Sequence, residues 1–441
     1  FIAVSSIPVH LTLIRATWSV VRIRNTVVTG ISSRSPLILL SDGATVSVDS
    51  SSFTDINLLG GGSVISFNSE SDSGMHLDFI NSIMRNVTAS IEKDRDVPAS
   101  PILVSSRAAF VSIKDSQFIE NKAVTGAVVF ANIDHPFPQS TIKIDNSSFY
   151  MNMASIGGGA IYQKGGTLEI YNSSFKKNEA RMIAGAIHIE NPATATIKDT
   201  HFEENVVTDF LTLTFGGALY VELNTASKSK LELPTLDIYS NNFTNNCAGS
   251  KEGEFEQAIG SGGAIYFHFH QKVGSADKFY EAIKMIGSNN AFQNNFAQYG
   301  PDYATNPVSG SFSSFDSEEN IIIECSESPC QLSGQVRADI FRDLQLRIRF
   351  IDLFGQQLTQ DSYVSDSFYS RLSDFKMTLQ VSNQPQYYSE STCSPWTCIL
   401  NGVNLQLKGL ANESIGLTFT ISNPSYHDVE FVLMTSIRPC Q

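Results

Sequence analysis

The chain has 441 residues, 42% of them hydrophobic and 17% charged, with 29 phenylalanines and 29 glycines; this is too apolar for a disordered polypeptide and too long for one small core. The formal net charge of −14 argues against sequence-independent nucleic-acid binding, which needs clustered Lys and Arg. No apolar run approaches the roughly 18 residues that cross a bilayer, and stretches such as Pro36–Leu40 are strand-sized, so no membrane-spanning segment is expected.

The chain begins at Phe1 with no basic stretch ahead of an apolar one, and reads as processed or as a piece of something longer. Val9, Leu11 and Leu13 alternate as a strand does. A repeat then takes over. The phrase Phe-x-x-Asn-x-Ala occurs at Phe118/Asn121/Ala123, Phe149/Asn152/Ala154, Phe175/Asn178/Ala180, Phe243/Asn246/Ala248 and Phe292/Asn295/Ala297, with Phe202/Asn205/Val207 as a close variant and degenerate copies at Phe53 and Ile83/Asn86. A second phrase follows the first five copies: Gly126-Ala-Val128, Gly159-Ala-Ile161, Gly185-Ala-Ile187, Gly217-Ala-Leu219 and Gly263-Ala-Ile265. A third, leading into most copies, places apolar residues seven and five positions before the Phe, as in Val111/Ile113, Ile142/Ile144 and Leu168/Ile170. Period-two alternation without any helical period makes each unit two or three short strands.

Units of this length stacked at strand spacing predict a parallel β-helix of about eight or nine coils, in which like residues form ladders up the axis. The handedness rule for parallel crossovers makes it right-handed. Each Phe should stack on the next. Each Asn should bond a bend and its neighbours. The Gly before Ala-Ile should supply a corner conformation that a side chain resists. The Phe spacing widens to 41 and 49 residues where 206–215, 224–234, 251–258 and 271–284 are inserted, which predicts surface loops. In the last copy Gly300-Pro301-Asp302-Tyr303 replaces the Gly-Gly-Ala-Ile phrase, and Pro301, lacking an N–H, should end the stack.

The organisation expected is therefore a β-helix over 1–305, a Ser, Gly and Asp-rich linker over 306–320, and a β-sandwich over 321–441, immunoglobulin-like from its short alternating segments 344–354, 375–382, 403–410, 415–422 and 427–437. The fold class is all-β. Cys247 stands alone in the helix, whereas Cys325/Cys330 and Cys393/Cys398 are close pairs and Cys440 is single; two local disulfides are expected, although six cysteines allow 15 connectivities and zinc is the competing reading. No His lies near either pair. Five sequons, at Asn86, Asn146, Asn172, Asn242 and Asn412, fit a secreted glycoprotein in an oxidising compartment.

Candidate sites come from outward positions. Val129, Tyr162, His188, Tyr220 and Tyr266 hold one slot in consecutive coils under this alignment and could form an aromatic platform for a glycan or a partner surface, or simply stack on one another beneath an inserted loop. Glu190 and Glu222 occupy equivalent outward slots, at a spacing a glycoside hydrolase could use, though a solvated face carries such acids too. His268 and His270 share a strand face, but two ligands do not make a metal site. No cofactor is expected.

The tandem Phe-x-x-Asn and Gly-Gly-Ala-Ile phrases resemble the repeats of chlamydial polymorphic outer-membrane proteins, which are β-helical surface adhesins. They are more similar still to large repeat-rich surface proteins of ciliates. There such repeats end in a Gly-Pro-Asp phrase, as at Gly300-Pro301-Asp302, and a sandwich follows with Ser-Gly-Gln and Asp-x-x-Gly-Gln patterns, here Ser333-Gly334-Gln335 and Asp352-Leu353-Phe354-Gly355-Gln356. The resemblance spans roughly residues 40 to 360. It implies an extracellular surface or matrix protein and transfers no catalytic residue. The function expected is a non-catalytic structural subunit that associates with itself or with other surface proteins, the open first coil pairing with a partner. An adhesin and a β-helix polysaccharide lyase or hydrolase are the alternatives.

Overall fold

The computed structural model describes residues 10–68, 74–90, 99–106, 108–133, 140–208, 214–223, 234–249, 260–269, 280–281, 283–297, 299–305 and 352–356 in full, and the backbone of Ser69, of strand Ile2–Ala3 and of nine strands between residues 309 and 437. It divides into two compact units, Phe1–His268 with Ala282–Tyr303, and Phe269–Glu281 with Ala304–Gln441.

In the first unit alternating apolar residues make short strands that the chain visits in a fixed cycle. One coil runs through Ile161–Lys164, Thr167–Tyr171, Ser174–Lys176 and Glu179–Ala180, and the next opens with Ile187–Glu190. Every strand pairs in parallel with its counterpart one coil on: Ile161 with Ile187, Thr167 with Thr194, Ser174 with His201, Glu179 with Val206. This is the connectivity of a parallel β-helix, and it builds three sheets. Sheet I has ten strands, from Ile14–Thr17 to Tyr303–Thr305, so one short strand still joins it after Pro301; those from Val129–Asn132 to Ile265–Phe269 follow the glycines. Sheet II has eight strands, from Val20–Arg24 to Thr235–Tyr239. Sheet III carries the Phe strands and the short strands after each Asn, fused in the long strands Ser52–Leu59 and Ile83–Ser90. Helix among the described residues is confined to 280–289, and the inserted segments lie largely outside them.

The core is a set of columns. Phe118, Phe149, Phe175, Phe202 and Phe243 are fully buried and stack with Phe292 at successive centroid distances of 4.9, 4.5, 5.2, 4.8 and 5.2 Å, never more than 11° from parallel. Each ring contributes about 2 to 3 kcal/mol by burial, and each stacked pair about 1 kcal/mol more. Beside it Asn121, Asn152, Asn178, Asn205, Asn246 and Asn295 form a buried ladder. Asn152 is typical: its Nδ2 donates to Phe118 O at 3.1 Å and to Asn178 Oδ1 at 2.9 Å, while its Oδ1 accepts from the backbone N and the Nδ2 of Asn121. All four bonding positions of the amide are filled, which a buried amide requires.

A second polar ladder runs through Ser51, Ser82, Ser116, Ser147, Ser173, Thr200, Asn241 and Asn290. The backbone N–H of each donates to the side-chain oxygen of the next, at 3.0 to 3.4 Å.

The glycine corner differs from expectation. The left-handed residue is one position earlier, Gly158 at φ +65°, and its slot in the next coil is held by Ala184 at φ +55°. Gly159 serves close approach instead: a Cβ there would lie 1.9 Å from Gly185 O. The first copy is also out of register by one, because Val129 rather than Val128 pairs with Ile161.

At the first coil, Ile2–Ala3 pairs with Val27–Thr29, so the chain's own residues cover that edge. The strands Ile14–Thr17 and Val20–Arg24 pair on one side only among the described residues.

The second unit has two sheets. One orders Ile321–Cys325, Ser309–Phe315, Gln345–Ile351 and Thr397–Leu400, all antiparallel. The other orders Cys330–Val336, Tyr426–Ile437, Ser414–Asn423, Lys376–Val381 and Gln384–Thr392, with its first pair parallel. Ser309–Phe315, inside the stretch read as a linker, is thus a central strand, its small residues spaced by Phe312 and Phe315. Segment 403–410 lies outside the described residues. Asp352, 2% exposed, closes a tight turn: its Oδ1 accepts from the N–H of Phe354 and of Gln356 at 2.9 Å, and Gly355 follows at φ +75°.

Candidate functional site

The candidate residues on the helix converge on the outer face of sheet I, where two columns lie side by side. Strand register sets one as Leu103, Phe130, Tyr162, His188 and Tyr220, and the other as Asn132, Lys164, Glu190 and Glu222. Phe130, not Val129, holds the aromatic slot. Val129 is fully buried, a consequence of the one-residue register shift, which turns every side chain to the opposite face.

The rings do not form a flat platform. Phe130 and Tyr162 lie 4.9 Å apart at 17°. Two coplanar rings cannot approach so closely, so these face each other along the stack and turn their edges outward. His188 stands nearly perpendicular to both neighbours, 4.9 Å from Tyr162 at 87° and 4.9 Å from Tyr220 at 86°. Tyr220 and Tyr266 stack at 11° and are 4% and 1% exposed. Phe215, brought in by the short strand Thr214–Phe215, lies 4.6 Å from Tyr266. The column is therefore self-stacked, covered at Tyr220 and Tyr266, and half-buried at Phe130 and Tyr162.

Glu190 and Glu222 are register neighbours, and the first is fully engaged. Its Oε1 is 2.9 Å from Lys164 Nζ, and its Oε2 accepts from the Tyr162 hydroxyl at 2.6 Å. Glu222 Oε2 lies 3.9 Å from His188 Nε2. A hydrolytic pair needs one carboxyl free to donate a proton and the other free to attack or to activate water. Here Glu190 has both oxygens tied to protein groups.

Charged ladders of the same kind recur on the other faces, in the pairs Lys143–Glu169, Lys176–Glu203 and Lys177–Glu204. The Glu203 carboxylate, bonded to Lys176, holds that ammonium's pKa above its ordinary value. His268 is 8% exposed, and His270 lies outside the described residues. No group of three His, Cys, Asp or Glu among the described residues could hold a metal ion, and no described helix is long and apolar enough to cross a membrane.

Asn86, Asn146 and Asn172 are exposed at left-handed corners. Asn242 is half-buried in Asn242–Thr244 and accepts from the Thr244 hydroxyl at 3.0 Å. Asn412, Cys393 and Cys440 lie outside the described residues, as do the side chains of Cys325, Cys330 and Cys398. Cys325 and Cys330 end and begin strands of different sheets. Cys247 is buried, and its Sγ donates to Gly249 O at 3.1 Å.

Sequence reasoning missed the Ser51–Asn290 ladder, Phe130 and the turn-closing role of Asp352. Phe130 was available from the Gly126/Gly158 alignment. No protein-family model, curated protein or solved structure matches this chain.

Proposed function

We propose that the chain is a non-catalytic structural protein of an extracellular surface or matrix: a right-handed parallel β-helix followed by an immunoglobulin-like sandwich, associating with itself or with other surface proteins. The observation that carries this reading is the unbroken Phe118–Phe292 stack with the Asn121–Asn295 ladder beside it. Long-range order along one axis is what a load-bearing or spacing element needs, because each coil is held by its two neighbours. The commitment of Glu190 to Lys164 and Tyr162 supports a solvated, ion-paired face over a hydrolytic pair. The resemblance of the repeats to those of ciliate surface proteins points the same way, and end contacts through the edges of Ile14–Thr17 and Val20–Arg24 are the proposed mode of assembly.

Negative-stain microscopy of protein from its native source tests this. Ordered filaments or sheets repeating at the length of one rod support it; isolated rods sink it. Adhesion is the second reading, favoured by the outward edges of Phe130 and Tyr162 beside Lys164. A glycan array would show a hit that is lost in Phe130→Ala and Tyr162→Ala. Release of reducing ends from a polysaccharide, abolished by Glu190→Gln or Glu222→Gln, would overturn both.

A further inference from the structure

Asparagine falls into two populations in the β-helix. Seven are buried: Asn121, Asn152, Asn178, Asn205, Asn241, Asn246 and Asn295. Two positions after each stands Ala, Val or Phe, never Ser or Thr, so none is an acceptor for N-linked sugar. The sequons Asn86, Asn146 and Asn172 are instead all exposed, at φ +50°, +45° and +48°.

These three share a second feature. Each Nδ2 donates one hydrogen to the carboxylate of an aspartate one coil back: Asn86 to Asp55 at 2.7 Å, Asn146 to Asp115 at 2.6 Å, and Asn172 to Asp145 at 3.2 Å. A side-chain amide carries two hydrogens. Transfer of an oligosaccharide from a lipid-pyrophosphate donor forms the bond from Nδ2 to the sugar's anomeric carbon, breaks that carbon's bond to the pyrophosphate leaving group and releases one amide proton; the other hydrogen stays, so the contact with Asp survives modification and fixes the direction in which the sugar leaves the surface. Thr88, Ser148 and Ser174, the hydroxyl residues of these sequons, are half-buried rather than enclosed in the core. Asn242 differs, since its side-chain oxygen is bonded to Thr244 within its own sequon.

We propose that Asn86, Asn146 and Asn172 are N-glycan acceptors built into the corners of the helix, each sugar oriented by an aspartate of the preceding coil. The sugars stand on the corners that bound the Phe strands of sheet III, Asn146 and Asn172 on consecutive coils, and none of the three stands on the outer face of sheet I. This rests on the extracellular part of the proposed function.

The test is the full chain secreted from a eukaryotic cell line behind a signal peptide. Enzymatic release of N-glycans in heavy-oxygen water followed by peptide mass spectrometry should find the label at all three asparagines. The variants Thr88→Ala, Ser148→Ala and Ser174→Ala remove the sequons but keep the asparagines; they should lose the label and melt at the same temperature as the glycosylated chain. Folded, secreted protein without label at these positions overturns the proposal. So does a glycosylated chain that melts well below the sequon-free variants. An intracellular location of the native protein would sink the extracellular reading alone, because the secretion experiment decides the acceptors independently.

Discussion

Asn295 donates its Nδ2 hydrogen to Asp302 Oδ1 at 3.1 Å. From Asn121 to Asn246 that hydrogen goes to the next asparagine of the ladder, as from Asn246 to Asn295 at 3.0 Å. The Gly-Pro-Asp phrase thus ends the Asn ladder chemically: Asp302 supplies the acceptor that a further Asn would have offered. Asp302→Ala should leave a part-buried amide hydrogen without its partner and cost about 1 to 3 kcal/mol. Asp302→Asn keeps an acceptor oxygen and should recover most of that. Urea unfolding of the two variants checks the ordering; equal loss in both would mean that charge, not acceptance, is what matters.

A substitution in the middle of the ladder should be more severe than one at its end. Asn178→Ala removes the acceptor for the backbone N and Nδ2 of Asn152 and the donor to Phe149 O, leaving three buried groups unsatisfied. The expected loss is about 3 kcal/mol or more. Asn178→Asp keeps the acceptor but turns a buried carboxylate oxygen toward Phe149 O and Asn205 Oδ1, and at neutral pH should lose at least as much as Asn178→Ala. Thermal melting of the three proteins at neutral pH measures this.

Two small residues at the corner before sheet I should respond with opposite signs. Gly159→Ala drives a methyl group to 1.9 Å from Gly185 O, a backbone atom that cannot step aside, so the stack must part locally, at a cost of several kcal/mol. Ala184→Gly removes a Cβ from φ +55°, relieving about 1 to 2 kcal/mol against a smaller gain in unfolded-state entropy. A net rise of up to about 1 kcal/mol is expected. If Gly159→Ala melts like wild type, the close approach is not what selects glycine.

Legibility in the sequence followed how narrowly each slot restricts its occupant. From Phe118 onward the Phe stack and the Asn ladder could be read because one side chain fills each slot, so the letters recur at separations of 26, 27 and 31 residues; one coil earlier Met84 and Val87 hold these slots, one residue beyond the copy read at Ile83/Asn86. The parallel ladder from Ser51 to Asn290 was hidden, since any short side chain with an acceptor oxygen serves there and Ser, Thr and Asn all occur. The Gly-Ala phrase puts Val129 in the aromatic slot because Ala127 occupies the place that the next coil gives to Gly159, which shifts the letters of this coil by one residue. Cover of the aromatic column by an inserted segment was one of the readings, but that Phe215 is the residue that reaches Tyr266 could not be told from the letters, because it comes from an insertion outside the repeat. Asp352 stood in a recognised pattern, but its role, bonding the N–H groups of Phe354 and Gln356, follows from the turn and not from the letters.

The outer face of sheet II carries a measurable pH signature. Burial first, and then the Glu169 carboxylate, raise the Tyr171 phenol above its ordinary pKa. Both disfavour the phenolate: the first by withholding water, the second by like charge. Lys143 lies 5.7 Å from the ring centroid and is paired with Glu169 at 3.6 Å. In the unfolded chain Tyr171 titrates near the ordinary value of about 10. Above that pH the unfolded state has released the proton while the folded state still holds it. The folded state then binds more protons, so stability falls as pH rises. The contribution is fully present below the unfolded value and is lost as pH rises through the folded one. Tyr171→Phe removes the group and should flatten the alkaline limb of a stability profile measured from about pH 9 to 11, with little change at neutral pH. Difference absorbance at the phenolate band should show one tyrosine fewer titrating late. An alkaline limb identical in wild type and Tyr171→Phe would mean that the proton leaves Tyr171 as easily in the folded coil as in the unfolded chain, and that Glu169 is held away from the ring in solution.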